Sequence, residues 1–103
     1  MDRTGEQKTL DRWNVLSIQE ARALLDRFCL YLVAERGRSR LTAESYASDL
    51  KQWLAFCESN AFVPFPPSFS AVSAFRKDMD VQGKSRSTQQ RAIAAMRSWI
   101  HFV

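Results

Sequence analysis

The fold is decided by residues 36–57, which read RGRSRLTAESYASDLKQWLAFC. Apolar side chains recur in this stretch at helical spacing: Tyr46, Leu50, Trp53, Leu54, Cys57 and, beside them, Phe56. Because residues three and four apart share one face of a helix, the stretch predicts an amphipathic helix. Thr42 is its candidate N-cap, and we expect the helix to end near Asn60.

Two further helices, one on each side of this one in the sequence, are predicted by a serine before each and a glycine after each. In chain order they are the first and the third. The first is predicted to begin at Ser17, which opens a capping box, and to end at Gly37. The third is predicted to begin at Ser68 or Ser70, two alternatives that the sequence leaves open, and to end at Gly83.

A fourth helix is predicted to begin at Ser85 and to continue to the last residue. Its apolar stripe consists of Ile93, Met96, Trp99, Ile100 and Val103. No segment alternates apolar and polar residues with the period of two that strands show, so the expected fold class is all-α. Four helices with short connections predict an all-α bundle for residues 17–103, and we expect residues 1–16 to form a flexible N-terminal arm.

Composition narrows the function classes. The chain has 103 residues, of which 46% are hydrophobic and 25% charged, as expected for one globular domain. No apolar run is long enough for a membrane span, and the N-terminus lacks the apolar stretch of a signal peptide. Cys29 and Cys57 lie among apolar residues without CxxC spacing, which indicates reduced core cysteines of an intracellular protein. No metal-ligand or phosphate-loop motif is present, so we expect no metal and no cofactor.

Positive charge is concentrated in two stretches. The net charge is +4, with 15 basic and 11 acidic residues. Residues 36–43 hold three Arg, residues 81–103 hold four Lys or Arg, and neither stretch contains an acid. The rest of the chain is therefore acidic on balance, and the two basic stretches favour a polyanionic partner, with nucleic acid first.

Each basic stretch leads into a predicted helix start. Guanidinium groups, hydroxyl groups and the free N–H groups of a helix start all bind phosphate. The alternative is two solvated, capped helix starts without a ligand. Arg91 and Arg97 could also pair with acids of the scaffold, and Asp49, among apolar neighbours, could pair with a base. Neither His101 nor any tyrosine has a cluster of groups around it that would support catalysis.

The order of the motifs resembles that of tyrosine recombinases. One part of the resemblance rests on Arg36-Gly37, Ser39, Leu41-Thr42, Ser45-Tyr46, Asp49-Leu50, Trp53 and Phe56-Cys57. The other rests on Val72, Phe75, Gly83, Ser85, Ser87-Thr88, Arg91, Ile93, Ala95-Met96-Arg97-Ser98-Trp99 and Phe102. The resemblance covers residues 18–103 and implies the SAM-like, N-terminal core-binding domain of phage integrases and of Xer- or Cre-like recombinases. It thereby implies an all-α, SAM-like orthogonal bundle of four to five short helices.

In that family the domain clamps one face of a DNA duplex, and its second and fourth helices enter the major groove. Carried onto this sequence, the resemblance implies DNA contacts from Arg38, Arg40, Thr42, Ser45, Tyr46, Lys84, Arg86, Ser87, Thr88, Gln90, Arg91 and Arg97. The family's catalytic residues lie in a further C-terminal domain, and His101 and Tyr46 do not stand in for them. The resemblance therefore implies a chain that binds DNA and is not an enzyme by itself.

The expected partners are double-stranded DNA and other recombinase protomers assembled on it, with a monomer in isolation and no membrane. The expected location is the cytoplasm of a bacterial, phage-infected or mobile-element host cell. The apolar ending Ile100-His101-Phe102-Val103 is more typical of a domain cut from a longer protein, although a natural stand-alone form stays open. The alternative function is a helical protein–protein interaction module without DNA binding, which would expose an apolar patch.

Overall fold

A computed structural model describes residues 16–103 as a bundle of helices. These are α1 (Ile18–Ala23), α2 (Leu25–Ala34), α3 (Arg40–Asn60), α4 (Phe69–Val81) and α5 (Arg86–Phe102). The described residues contain no strand beyond an isolated bridge between Leu16 and Phe65, so the all-α prediction is confirmed. None of these helices combines the length and apolar character needed to span a bilayer. Of the predicted N-terminal arm, residues 1–15 lie outside the described residues.

The first predicted helix is in fact two helices, α1 and α2. Ser17 caps α1 through the predicted capping box: its Oγ accepts from the Glu20 N–H at 3.0 Å, and the Glu20 Oε1 accepts from the Ser17 N–H at 2.9 Å. At Leu24 the backbone N–H turns back to the Ala21 carbonyl, three residues away, and the α-helical register is interrupted. Buried side chains continue on both sides of this turn, so hydrophobic periodicity gave no sign of the break.

The N-cap of α3 is Ser39, and the prediction of Thr42 was wrong. The Ser39 Oγ accepts a hydrogen bond from the Thr42 N–H at 3.0 Å, so Thr42 lies inside the first turn. Both residues are of types that cap helices, and the one that comes first provides the cap. The other caps lie within the predictions, since Ser68 begins α4 and Ser85 begins α5.

The core lies around α3, which packs against all four other helices. The largest fully buried side chains are Trp53, Trp99, Phe28, Leu32, Leu50, Leu54 and Cys57. Trp53 also donates its indole N–H to the Pro64 carbonyl at 3.2 Å, which ties the proline-containing loop to α3. The predicted core stripe of α5 was wrong at its end, because Ile100 and Val103 are 41% and 38% exposed. The buried face of α5 consists of Ala92, Ala95, Met96 and Trp99.

The turn from α4 to α5 sets where α5 begins. Gly83 has a φ of +79°, and its N–H donates to the Asp80 carbonyl at 3.0 Å. The next N–H, that of Lys84, donates to the Met79 carbonyl at 3.0 Å. This pair of bonds is the Schellman arrangement, which favours glycine because a Cβ at positive φ is strained. It brings the second basic stretch directly from the end of α4 into the start of α5.

Candidate nucleic-acid interface

The two basic helix starts share one capping geometry. At α3 the Ser39 Oγ donates to the Thr42 Oγ1 at 3.0 Å, and at α5 the Ser85 Oγ donates to the Thr88 Oγ1 at 3.0 Å. In each case the threonine N–H donates back to the serine Oγ, at 3.0 and 3.1 Å. Since each threonine hydroxyl accepts from its serine, its own proton is available to an outside acceptor. Neither helix has an acid in its first turn.

Three arginines surround the start of α3. Arg36 and Arg38 lie on the turn after α2, and Arg40 is the first residue of α3; all three are exposed. Within residues 16–103 no ion pair joins any of them to a carboxylate. Their charge therefore adds to the partial positive charge of the helix start, which is an arrangement that attracts anions.

The start of α5 forms one side of a polar cleft with α4. The cleft has a volume of about 470 Å³ and is lined by Arg76, Asp80, Lys84, Arg86, Gln89 and Gln90. The Gln89 side-chain amide donates to the Asp80 carboxylate at 2.7 Å and to the Lys84 carbonyl at 3.1 Å. The side-chain amide of Gln89 thus already donates two hydrogen bonds within the protein. Three cationic side chains and the Gln90 amide line the same cleft.

An ion pair between the exposed Arg91 and the buried Asp49 joins α5 to α3. Arg91 on α5 donates from Nε to the Asp49 Oδ2 at 2.8 Å and from Nη2 to the Asp49 Oδ1 at 2.9 Å. The Asp49 side chain is only 3% exposed, whereas that of Arg91 is 44% exposed. The hydrogen bonds to Asp49 raise the pKa of Arg91, burial opposes this rise, and Tyr46 adds a smaller upward contribution. The pair thus joins α3, which carries the first basic site, to α5, which carries the second.

Both basic helix starts lie within a segment that matches a known protein family. Residues 25–103 match the family described as phage integrase, N-terminal SAM-like domain. The chain belongs to this family.

Relatives of this integrase SAM-like domain are found among Xer recombinases. The chain is 32% identical over 80 residues to the tyrosine recombinase XerD of Lacticaseibacillus casei, which is 78% of this chain and 27% of that protein. It is 32% identical over 85 residues to the tyrosine recombinase XerC of Pelotomaculum thermopropionicum, covering 77% and 28%. For the XerD of Listeria innocua the identity is 27% over 82 residues, covering 78% and 28%. The chain thus spans little more than a quarter of the length of these recombinases, and no solved structure gives a significant match.

The predicted contact residues of the integrase SAM-like domain divide by exposure. The exposed ones are Arg38, Arg40, Arg86, Ser87, Gln90, Arg91 and Arg97. The half-buried ones are Thr42, Ser45, Tyr46, Lys84 and Thr88. Arg97 lies eleven residues after the first residue of α5, roughly 16 Å along the helix axis, and so is distant from the group at the helix start. The structure gathers the others around two helix starts, and their contact with DNA stays a prediction.

Sequence reasoning missed Arg76, which α4 brings to the cleft beside Lys84 and Arg86. Its neighbours in the sequence include Asp78 and Asp80, so a count of charge along the chain gives no excess there. The cleft holds three cationic side chains against the single carboxylate of Asp80, and this excess appears only when the fold brings Arg76 beside the start of α5.

Proposed function

We propose that this integrase SAM-like domain clamps a DNA duplex as the N-terminal part of a site-specific tyrosine recombinase. The observation that carries the proposal is the pair of basic helix starts with identical Ser–Thr capping, on two helices that pack together. At each start, cationic side chains, backbone N–H groups and a threonine hydroxyl would bind successive phosphates. These contacts position the protein without reading the sequence.

Base reading is proposed for α3 and α5 lying in the major groove. Gln90 is exposed in the second turn of α5, and a glutamine there suits the bidentate recognition of adenine. Strand breakage and rejoining are assigned to the parent recombinase, and neither Tyr46 nor His101 is given a part in them. With DNA as the partner, the proposed location is the cytoplasm of a bacterial, phage or mobile-element host.

The proposal is tested by titrating the ¹⁵N-labelled chain with a duplex and following its amide shifts. We expect the shifts to cluster at residues 38–46 and 84–91. The logarithm of the affinity should fall linearly with the logarithm of salt concentration, by about 0.9 per phosphate contacted. Arg40→Ala and Arg86→Ala should each reduce this slope, whereas the matched control Arg27→Ala, exposed on α2, should not. Shifts scattered over the surface, or an equal effect of the control, would contradict the groove-docking model.

A second candidate function is supported by an apolar surface on α2. Leu30 is 67% exposed and Val33 is 39% exposed, and both line a shallow groove against α3 with a volume of about 300 Å³. Such a surface is typical of protein contacts. We propose that it meets another recombinase protomer on DNA. The interaction-module alternative uses the same surface, and it is distinguished by predicting no response of the chain to duplex DNA.

A further inference from the structure

We propose that Asp49 and Arg91 are a positioning pair that holds the two DNA-contacting helix starts in register, and that Arg91 is not itself a phosphate ligand. The inference rests on the proposed function, because register matters only if both starts bind one duplex. It gives Arg91 a role different from that of the other predicted contacts around the two starts, because Arg91 is engaged by Asp49.

The geometry of the pair indicates that Asp49 holds the Arg91 side chain in a fixed position within the protein. Asp49 is the one buried charged side chain among residues 16–103. Both of its oxygens accept from Arg91, in the bidentate form that fixes two planar groups relative to each other. A carboxylate buried in this way is stable only with its partner in place, so the contact is expected to persist when DNA binds.

The position of the pair along the helices determines what it controls. Asp49 lies nine residues after the first residue of α3, and Arg91 lies five residues after the first residue of α5. At the rise of an α-helix these intervals are roughly 13 and 8 Å, and the axes of packed helices lie about 8–10 Å apart, so the two starts lie within roughly 30 Å of each other. One turn of B-DNA rises about 34 Å, so both starts can meet the same face of the duplex within one turn. A shift of the helices at the pair would change their spacing and cost one set of contacts.

The positioning role and simple electrostatics predict opposite effects on DNA binding when the charge of Asp49 is removed. Asp49 compensates the charge of Arg91 within the protein, so Arg91 should release few counterions from DNA. Removing the Asp49 charge makes the domain more basic, and electrostatics alone therefore predicts tighter DNA binding. The positioning role predicts weaker binding.

The test measures binding of the full 103-residue chain to a fluorescein-labelled, mixed-sequence duplex of about 20 base pairs by anisotropy, between about 50 and 200 mM NaCl. The variants are Asp49→Asn, Arg91→Gln, their combination and Arg91→Lys. Glu44→Gln is the matched control, because Glu44 is an exposed acid on the same helix. Circular dichroism establishes the temperature range in which each variant is folded, and binding is compared within it.

We expect Asp49→Asn and Arg91→Gln each to raise the Kd by about fivefold or more with an unchanged salt slope, and the double variant to lose no more than either alone. Glu44→Gln should bind as tightly as the wild type or more tightly. Arg91→Lys keeps the charge and one hydrogen bond, so it should fold; it should still weaken binding and shift the amide resonances of residues 39–46 in the free protein.

Any one of four results would overturn the inference while leaving the proposed function intact. They are tighter binding by Asp49→Asn, a salt slope reduced by about one unit in Arg91→Gln, additive effects in the double variant, and wild-type affinity in Arg91→Lys. If the wild-type chain itself does not bind the duplex, the proposed function fails and the positioning role fails with it.

Discussion

The partner of a charged side chain decides what its charge can do. Arg38 and Arg91 are both arginines in acid-free stretches of sequence, yet Asp49 engages Arg91, and no ion pair involves Arg38 within residues 16–103. Arg76 is the opposite case, since acids surround it in the sequence and the fold places it beside Lys84 and Arg86. Counting charge along the sequence therefore includes Arg91, whose charge Asp49 compensates, and omits Arg76, which lines the cleft.

Arg76→Ala is expected to weaken DNA binding severalfold. If Arg76 contacts a phosphate from its place in the α4–α5 cleft, its removal should lower the salt slope by about 0.9. The measurement is the anisotropy titration repeated at several salt concentrations. Lys77→Ala is the control, because Lys77 is an exposed cation next to Arg76 that does not line the cleft. An equal loss in both variants would show only a general effect of net charge.

The buried Cys57 thiol should make the stability of the domain depend on pH above the ordinary pKa of a thiol. Burial raises the pKa of Cys57 from an ordinary value of 9.0 to about 12. Between these two values the unfolded chain loses a proton that the folded chain keeps, so the free energy of unfolding falls as pH rises. The contribution is at most about 1.4 kcal/mol per pH unit, and it is absent below the unfolded pKa.

Urea denaturation of the wild type and of Cys57→Ala at several values between about pH 8 and pH 10 measures this contribution. Other groups titrate in the same range, and the comparison of the two proteins removes their effect. The stability advantage of the wild type over the variant should shrink as pH rises. An advantage that stays constant with pH would show that the thiol ionises equally in both states.

At the scale of the helices, capping residues determine where each one begins. Ser17, Ser39, Ser68 and Ser85 accept backbone hydrogen bonds at the starts of α1, α3, α4 and α5. Three of these could be predicted: Ser17 opens a capping box, Ser68 was one of two named alternatives, and Ser85 comes two residues after Gly83. Ser39 was missed because Thr42 is also of a capping type, and residue type alone does not say which of the two precedes the first turn. The break at Leu24 has no local signal, because the apolar pattern of α1 continues into α2.

Ser85→Ala is expected to lower the free energy of unfolding by about 1 kcal/mol, through loss of the bond from the Thr88 N–H. For a domain of this size the corresponding fall in Tm is about 4–8 °C. Thermal unfolding followed by circular dichroism measures it. Ser73→Ala, at an exposed position inside α4, serves as the control and should cost nothing, since alanine favours the helix interior. Equal losses in the two variants would argue against the cap.

At the scale of the whole molecule, the central position of α3 brings two distant stretches of sequence together. The packing of α5 on α3 joins the helices that carry the two basic starts, with the Asp49–Arg91 pair between them. The outer face of α2 is uncovered within the described part of the chain, with Leu30 and Val33 exposed. The groove that these two side chains line reaches Arg40 at the start of α3, so the proposed protein surface adjoins the proposed DNA surface.

Leu30→Gln should reduce cooperative binding to a duplex long enough for two chains, without changing the affinity for a duplex that holds one. The physical reason is that a polar amide in the groove on α2 would have to be desolvated at a protomer contact, while it adds no charge beside Arg40, which lines the same groove. Sedimentation velocity of the complexes at increasing protein concentration gives both quantities. Phe69→Gln is the control, since Phe69 is 88% exposed at the start of α4 and does not line the groove. Equal cooperativity in wild type and Leu30→Gln would remove α2 from the assembly surface.

The all-α class, most helix boundaries and the two basic stretches can be predicted from the amino-acid sequence alone. These depend on interactions over three or four residues, namely the apolar period, the serine caps and the glycine at positive φ after α4. The tertiary fold is needed to show that Asp49 engages Arg91, that Arg76 joins the α4–α5 cleft, and that Ile100 lies outside the core. Each of these depends on which helix faces which, and that is set by packing between residues far apart in the chain.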